Sequence, residues 1–258
     1  MTRAILLTGT IDTSVFKNVT VILTDLNERL RQYSNTIKRY IEDSEFDKIV
    51  FVENSGYLFD ENYFYDHALK YGKEFEYLPF VGNIENIISY GKSYGEAECI
   101  TYGIKNSNLL RSEKYIYKVT GRVFLKNSTA ICKTQHSCDN EFVVYNDTKW
   151  CHTNFFKVKR EDYLTFLSDT EKECDDFNKK GIENVYYQRL LESKMDTRCF
   201  KIYPDLTGVI GGTGAQYDKK WFELYIRNVL CVIGYFNIKQ TDAKLLSGLR
   251  MLKRLLIR

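Results

Sequence analysis

The feature that most constrains this chain is an alternation in its first half. Short apolar runs, each stopped by a polar or glycine-bearing turn, are separated by stretches with helical spacing. Ala4 to Leu7 is halted by Thr8-Gly9-Thr10. Leu26, Leu30, Tyr33, Ile37 and Ile41 then recur at near-helical intervals, with Arg and Glu between them. Lys48 to Val52 is a second buried run and ends at Glu53-Asn54-Ser55-Gly56. Tyr63 to Tyr71 reads as a helix, and Phe75 to Phe80 as a third strand ended by Pro79. Glu96 to Leu110 reads as a helix with Ser93 as its N-cap, Glu96 completing a capping box. Tyr115 to Val119 is the fourth strand and stops at Thr120-Gly121-Arg122. The order β-α-β-α-β-α-β predicts an α/β fold: a mainly parallel, Rossmann-like sheet flanked by helices, with loops gathered at one edge.

Beyond Asn127 the pattern is less regular. Glu141 to Tyr145 and Thr153 to Val158 read as strands, Arg160 to Phe177 and Gly181 to Ser193 as helices. Val209 to Tyr217 is a glycine-rich loop, and Trp221 to Phe236 reads as a buried helix. No linker interrupts the chain, so one domain is expected over 1–240, followed by a C-terminal helix over 241–258. The 258 residues suffice for one large α/β core. A net charge of +3 is too weak for a general nucleic-acid binder. The seven cysteines are odd in number, and the apolar start reads as a strand rather than a signal peptide, so reduced thiols in the cytoplasm are expected. No run of 18 apolar residues would form a membrane span.

Ligands of open α/β sheets bind outside the carboxyl ends of the strands. Thr8, Gly9 and Thr10 end the first strand there, offering hydroxyls and backbone groups to a base or ribose; a plain turn fits them equally. Glu53 and Asn54 end the second strand at the same edge, where turn chemistry is the alternative. Lys92 and Tyr94 open the helix before the fourth strand, flanked by Gly91 and Gly95. Free amides at such a helix start suit a phosphate, though an ordinary capped helix reads the same. Lys118, Thr120, Gly121 and Arg122 close the fourth strand. An arginine at that point suits a phosphate or diphosphate and can grip it bidentately; a structural ion pair is the competing reading. Cys132, His136, Cys138, Cys151 and His152 have zinc-ligand chemistry, but their spacings match no Cys-X-X-Cys pair. His152, Tyr145 and Trp150 suit contact with a sugar. Gly211, Gly212 and Thr213, in the run GVIGGTG, suit a flap over a bound ligand, with a merely permissive connection as the alternative, and no Walker signature follows.

Taken together, ILLTGTI, IVFVENSGY, GKSYGEAECITYGI and YKVTGRVF resemble the small bacterial glycosyltransferases of capsule and O-antigen loci, which have a GT-A-like fold. The resemblance covers roughly the first half. It implies a nucleotide-sugar donor, a glycan or polyprenyl-linked acceptor, and a cytoplasmic site at the inner face of the membrane. It divides the domain into a donor half over about 1–127 and an acceptor half over about 128–240. It also implies that an acid at a helix start, here Glu183, is the base of an inverting transfer; favourable interaction with the helix dipole fits Glu183 equally, and a retaining transfer stays open. Arg122 suits the leaving diphosphate, whose developing charge a fixed cation stabilises. Related enzymes hold a divalent metal with an Asp-X-Asp motif where this chain has Thr120-Gly121-Arg122. The motif's absence leaves no firm cofactor expectation and favours metal-independent transfer. A sugar nucleotidyltransferase would need a GXGXR-like loop, which TGTIDTS matches poorly. A non-catalytic nucleotide-binding scaffold is the reading from another class.

In 241–258, Leu245, Leu249, Leu252 and Leu256 form a stripe, while Lys244, Arg250, Lys253, Arg254 and Arg258 lie off it. Such a basic amphipathic helix suits an anionic membrane surface. The same leucines suit the chain's own core or a homodimer partner.

Overall fold

The four apolar runs form four adjacent parallel strands. In the computed structural model, which describes residues 2–16, 23–134, 137–209, 214 and 216–238, these are β1 (Ala4–Gly9), β2 (Lys48–Glu53), β3 (Glu74–Pro79) and β4 (Tyr115–Thr120). The helices between them are α1 (Leu26–Asp43), α2 (Glu61–Lys70), α3 (Ile84–Tyr90), α4 (Lys92–Asn106) and α5 (Asn108–Arg111). The second half adds β5 (Val123–Leu125), α6 (Ser128–Lys133), β6 (Asn140–Glu141), β7 (Val144–Tyr145), β8 (Trp150–Cys151), β9 (Phe155–Lys159), α7 (Arg160–Asp162), α8 (Ile182–Glu192), β10 (Thr197–Arg198), β11 (Leu206–Gly208) and α9 (Trp221–Val232).

The main sheet runs β10-β6-β9-β4-β1-β2-β3. All its pairings are parallel except those of β9, which is antiparallel to both β4 and β6. The strands read as continuous apolar runs because both faces are covered. Within β1, Ile5 and Leu7 point to a core shared with Tyr33, Tyr40 and Phe51, while Ala4 and Leu6 point to another built with Ile100, Phe156 and Tyr186. The register sets Thr8 beside Val52 on one side and Thr120 on the other. That alignment brings the ends of β1, β2 and β4 to one edge.

Several expected elements differ. The helix expected over Glu96 to Leu110 is divided between α4 and α5, with α3 standing upstream of it, and Ser93 is not an N-cap. Gly91 precedes α4, while the Ser93 hydroxyl and amide both bond Asp176. Glu96 is thereby free of a capping box and instead meets Lys118. Arg160 to Phe177 is not one helix: α7 passes into a π turn at Tyr163–Leu167 and a 3-10 turn at Thr170–Glu173. The break follows from Asp169, held left-handed at φ 62°, and from the buried Tyr163 hydroxyl reaching Thr101 and Tyr186. The strand expected over Glu141 to Tyr145 is split between β6 and β7, which belong to different sheets. α9 is buried on one face only: Trp221, Tyr225 and Val232 are 81%, 67% and 78% exposed. Residues 241–258, and with them the basic amphipathic helix, lie outside the described residues. None of the seven cysteines is in a disulfide. No helix among the described residues is long and apolar enough to cross a membrane.

Candidate active site

A cavity of about 770 Å³ opens at the carboxyl edge of the parallel strands. Thr8, Gly9, Thr10, Asn54 and Thr120 line its floor. Thr10 donates its hydroxyl to Asn54 Oδ1 at 2.6 Å, tying the ends of β1 and β2 together. Gly121 makes the same floor close-packed. Its amide donates to the Thr8 carbonyl at 2.8 Å, and a Cβ there would sit 2.8 Å from that oxygen. The chain therefore turns tightly at Gly121 and delivers Arg122 to the cavity wall.

Arg122 is 7% exposed. Its guanidinium donates to Gln32 Oε1 at 3.1 Å and lies 5.7 Å from the Tyr33 ring centroid. Its Nε is a buried donor with no partner among the described residues. No carboxylate among those residues comes within the 4.0 Å ion-pair distance, so the structural ion pair considered for Arg122 is not formed there. A buried cation without a counter-ion is costly unless a ligand completes it.

Beside it stands Arg29, 3% exposed, whose guanidinium donates to the carbonyls of Thr10, Ile11 and Leu23. Tyr33 accepts from the Thr10 amide at 3.0 Å. These two α1 residues pin the loop after β1, a role that their helical spacing alone does not reveal.

On the opposite wall, Lys92, Ser93, Gly95 and Glu96 from α4 meet Glu183 from the first turn of α8. The Asp176 carboxylate accepts from Ser93 and packs against Gly91, where a Cβ would approach it to 2.5 Å. At φ 96° the position also favours glycine, so the junction fixes α4 against the segment leading to α8. Glu183 is half-buried. Burial first, then the neighbouring Glu96 carboxylate, push its carboxyl up to about 7, while Lys92 opposes the shift.

Other expected site residues stand elsewhere. Glu53 is fully buried and does not line the cavity. It accepts from the amides of Ile11, Ser55 and Tyr57 at 2.7 to 3.0 Å, shaping the loops rather than facing a ligand. Tyr94 packs in the apolar core, its hydroxyl accepting from Asn86 at 2.9 Å. Lys118 is 0% exposed and lies beneath the floor, ion-paired to Glu96 and donating to the Thr153 carbonyl at 2.8 Å. It holds Glu96 in place. Gly211, Gly212 and Thr213 lie outside the described residues, although Val209 and Gln216 pair across the base of that loop.

The remaining wall comes from the second half: Tyr145, Thr148, Trp150, His152, Tyr203, Tyr217, Lys219, Glu223 and Arg227. Burial, with Lys219, Arg227 and Lys118 nearby, pushes the His152 imidazole down to about 3. Arg227 donates to the hydroxyls of Tyr145 and Tyr203 at 2.9 and 3.2 Å. Sequence spacing offered no sign of Lys219, Glu223 or Arg227, because the fold brings them to the cavity from 99 to 107 positions beyond Thr120, the end of β4. Among the described residues no three His, Cys, Asp or Glu side chains gather as a metal site; His136 lies outside them.

No protein-family model matches the chain, and no curated protein matches it by sequence. Solved structures do share its fold. The chain is similar to the glycosyltransferase GlyE of Streptococcus pneumoniae TIGR4, with 8% identity and a TM-score of 0.50, over 76% of this chain and 45% of that one. It thus spans less than half the length of GlyE. It is also similar to the galactosyltransferase LgtC, whose structure was solved with donor and acceptor sugar analogs, at 6% identity and a TM-score of 0.48, over 77% of this chain and 74% of LgtC. The shared architecture is the mixed α/β, GT-A-like fold with a mainly parallel central sheet.

Proposed function

We propose that the protein is a metal-independent, inverting glycosyltransferase that moves a sugar from a nucleotide-sugar donor to a glycan or lipid-linked acceptor. The observation that carries this reading is the pairing, in one cavity, of a buried arginine that has no carboxylate partner among the described residues with a carboxyl poised near 7. The strand-end hydroxyls and amides of Thr8, Gly9, Thr10 and Asn54 receive the nucleoside. Arg122 faces the diphosphate, with Lys92 at the helix start as a second cation. Glu183 takes the proton of the acceptor hydroxyl as its oxygen attacks the anomeric carbon. The bond from that carbon to the diphosphate oxygen breaks, and Arg122 holds the charge left on the leaving group. A single displacement of this kind inverts the anomeric centre.

In this reading about 1–127 form the donor half and about 128–240 the acceptor half, with the loop around Gly211, Gly212 and Thr213 closing over both. The sequence resemblance supports a place in capsule or O-antigen assembly at the cytoplasmic face of a membrane, with 241–258 as the contact to anionic lipid. The reading is tested by incubating the full chain with a panel of nucleotide sugars, with and without chelator, and following release of nucleoside diphosphate. Turnover of at least one donor in chelator is expected. Binding of nucleoside diphosphate without turnover of any nucleotide sugar would leave a binding protein instead.

A further inference from the structure

The cavity holds a second cationic group that donor chemistry does not use. Arg227 on α9 and Lys219 just before it both stand over the Tyr203 ring, at 4.9 and 5.7 Å from its centroid. Tyr145 and Tyr203 accept from one Arg227 nitrogen, and the Arg227 Nε is a buried donor with no partner among the described residues. Lys219 donates to the Tyr217 carbonyl at 3.3 Å. Glu223 and Asp205 act on these cations from a distance, but Asp205 is ion-paired to Lys126 at 3.2 Å. No carboxylate among the described residues comes within 4.0 Å of either cation. The hydrogen-bond partners of this group and those of Arg122 and Arg29 do not overlap.

Two adjacent cations, half-buried and without a counter-ion among the described residues, repel one another. Burial and Arg227 together push the Lys219 ammonium below its ordinary range. His152, on the same wall, is held neutral and offers an acceptor rather than a third charge. Aromatic rings at Tyr145, Trp150 and Tyr203 surround the group with flat surfaces suited to a sugar. One nucleotide-sugar diphosphate is matched by Arg122 and Lys92, which leaves this group for another anion. We infer that Arg227 and Lys219 receive an anionic substituent of the acceptor, a carboxylate or a phosphate on the sugar being extended. The inference rests on the glycosyltransferase reading for the word acceptor, but the anion site itself does not.

The test is equilibrium binding to the full chain, using glucuronic acid, glucose 6-phosphate and glucose as probes. UDP and GDP affinities are measured in parallel. At least one anionic sugar is expected to bind tenfold or more tightly than glucose, and the stronger of the two tells carboxylate from phosphate. Arg227→Met and Lys219→Met are each expected to erase that preference with nucleotide affinity unchanged, which also reports an intact fold. Equal binding of anionic and neutral sugars by the wild type overturns the inference. So does a parallel loss of nucleotide affinity in both variants, which would give the pair to the donor. Failure of the glycosyltransferase reading shows separately, as no nucleotide-sugar turnover by a protein that still binds the anionic sugar through Arg227.

Discussion

Arg122 and Glu183 divide the proposed chemistry between a fixed charge and a movable proton. Arg122→Ala removes the cation that meets the leaving group, a loss that costs about 10²- to 10³-fold in kcat where one such donor is deleted. Circular dichroism should show the variant folded, because among the described residues the Arg122 guanidinium bonds Gln32 and lies over the Tyr33 ring without an ion pair. Full activity of Arg122→Ala would remove it from the mechanism. Glu183 gives a prediction in pH. Only its ionised form accepts a proton, so kcat is expected to rise with pH through about 7 and to flatten above it. Stability runs the other way. A carboxyl raised in the folded state stabilises at low pH, and that contribution is lost as pH climbs through about 7. Glu183→Gln should therefore melt at a higher temperature than wild type at pH 8 while losing transfer; full turnover would exclude Glu183 as the base. The sequence showed that Arg122 and Thr120 end a strand, but not how deep Lys118 lies. Two residues further back on β4, Lys118 is beneath the floor and committed to Glu96. Glu53 misled for a similar reason, since a carboxylate at a strand end serves loop amides as readily as a ligand.

The elements that frame the site depend on junctions more than on the helices themselves. Asp176 is the clearest case, joining the segment before α8 to the first turn of α4. Asp176→Ala leaves the Ser93 amide and hydroxyl without their partner and is expected to cost about 1–3 kcal/mol, measured by urea unfolding. Gly91→Ala should destabilise through its left-handed backbone and its approach to Asp176, and an unchanged midpoint would show that the junction gives way freely. The strands of the first half were legible because burial on both faces writes a continuous apolar run. The turns of 160–177 were not. Their break rests on Asp169 and on a hydrogen bond from Tyr163 to Thr101, more than 60 positions away. Ser93 and Glu96 had capping-box spacing, yet Asp176 and Lys118, both distant in sequence, claimed them instead.

At the scale of the molecule, the sheet joins both halves around one cavity, and the second half supplies much of its positive charge. That arrangement sets a response to acid. His152 is depressed from 6.5 to about 3, so the unfolded chain takes up its proton first and stability is lost as pH falls below about 6.5. His152→Gln should lose less melting temperature than wild type between pH 7 and pH 4.5; an equal loss would place the acid sensitivity elsewhere. In the proposed mechanism Arg122 does by fixed charge what a metal does for a leaving diphosphate. The most direct measurement of that role is calorimetric titration of UDP and GDP into wild type and Arg122→Ala, each with and without chelator. Wild-type binding that chelator leaves unchanged is expected, with an affinity about 100-fold weaker in Arg122→Ala. Wild-type binding that disappears with chelator, or equal affinity in the two proteins, would contradict that role for Arg122.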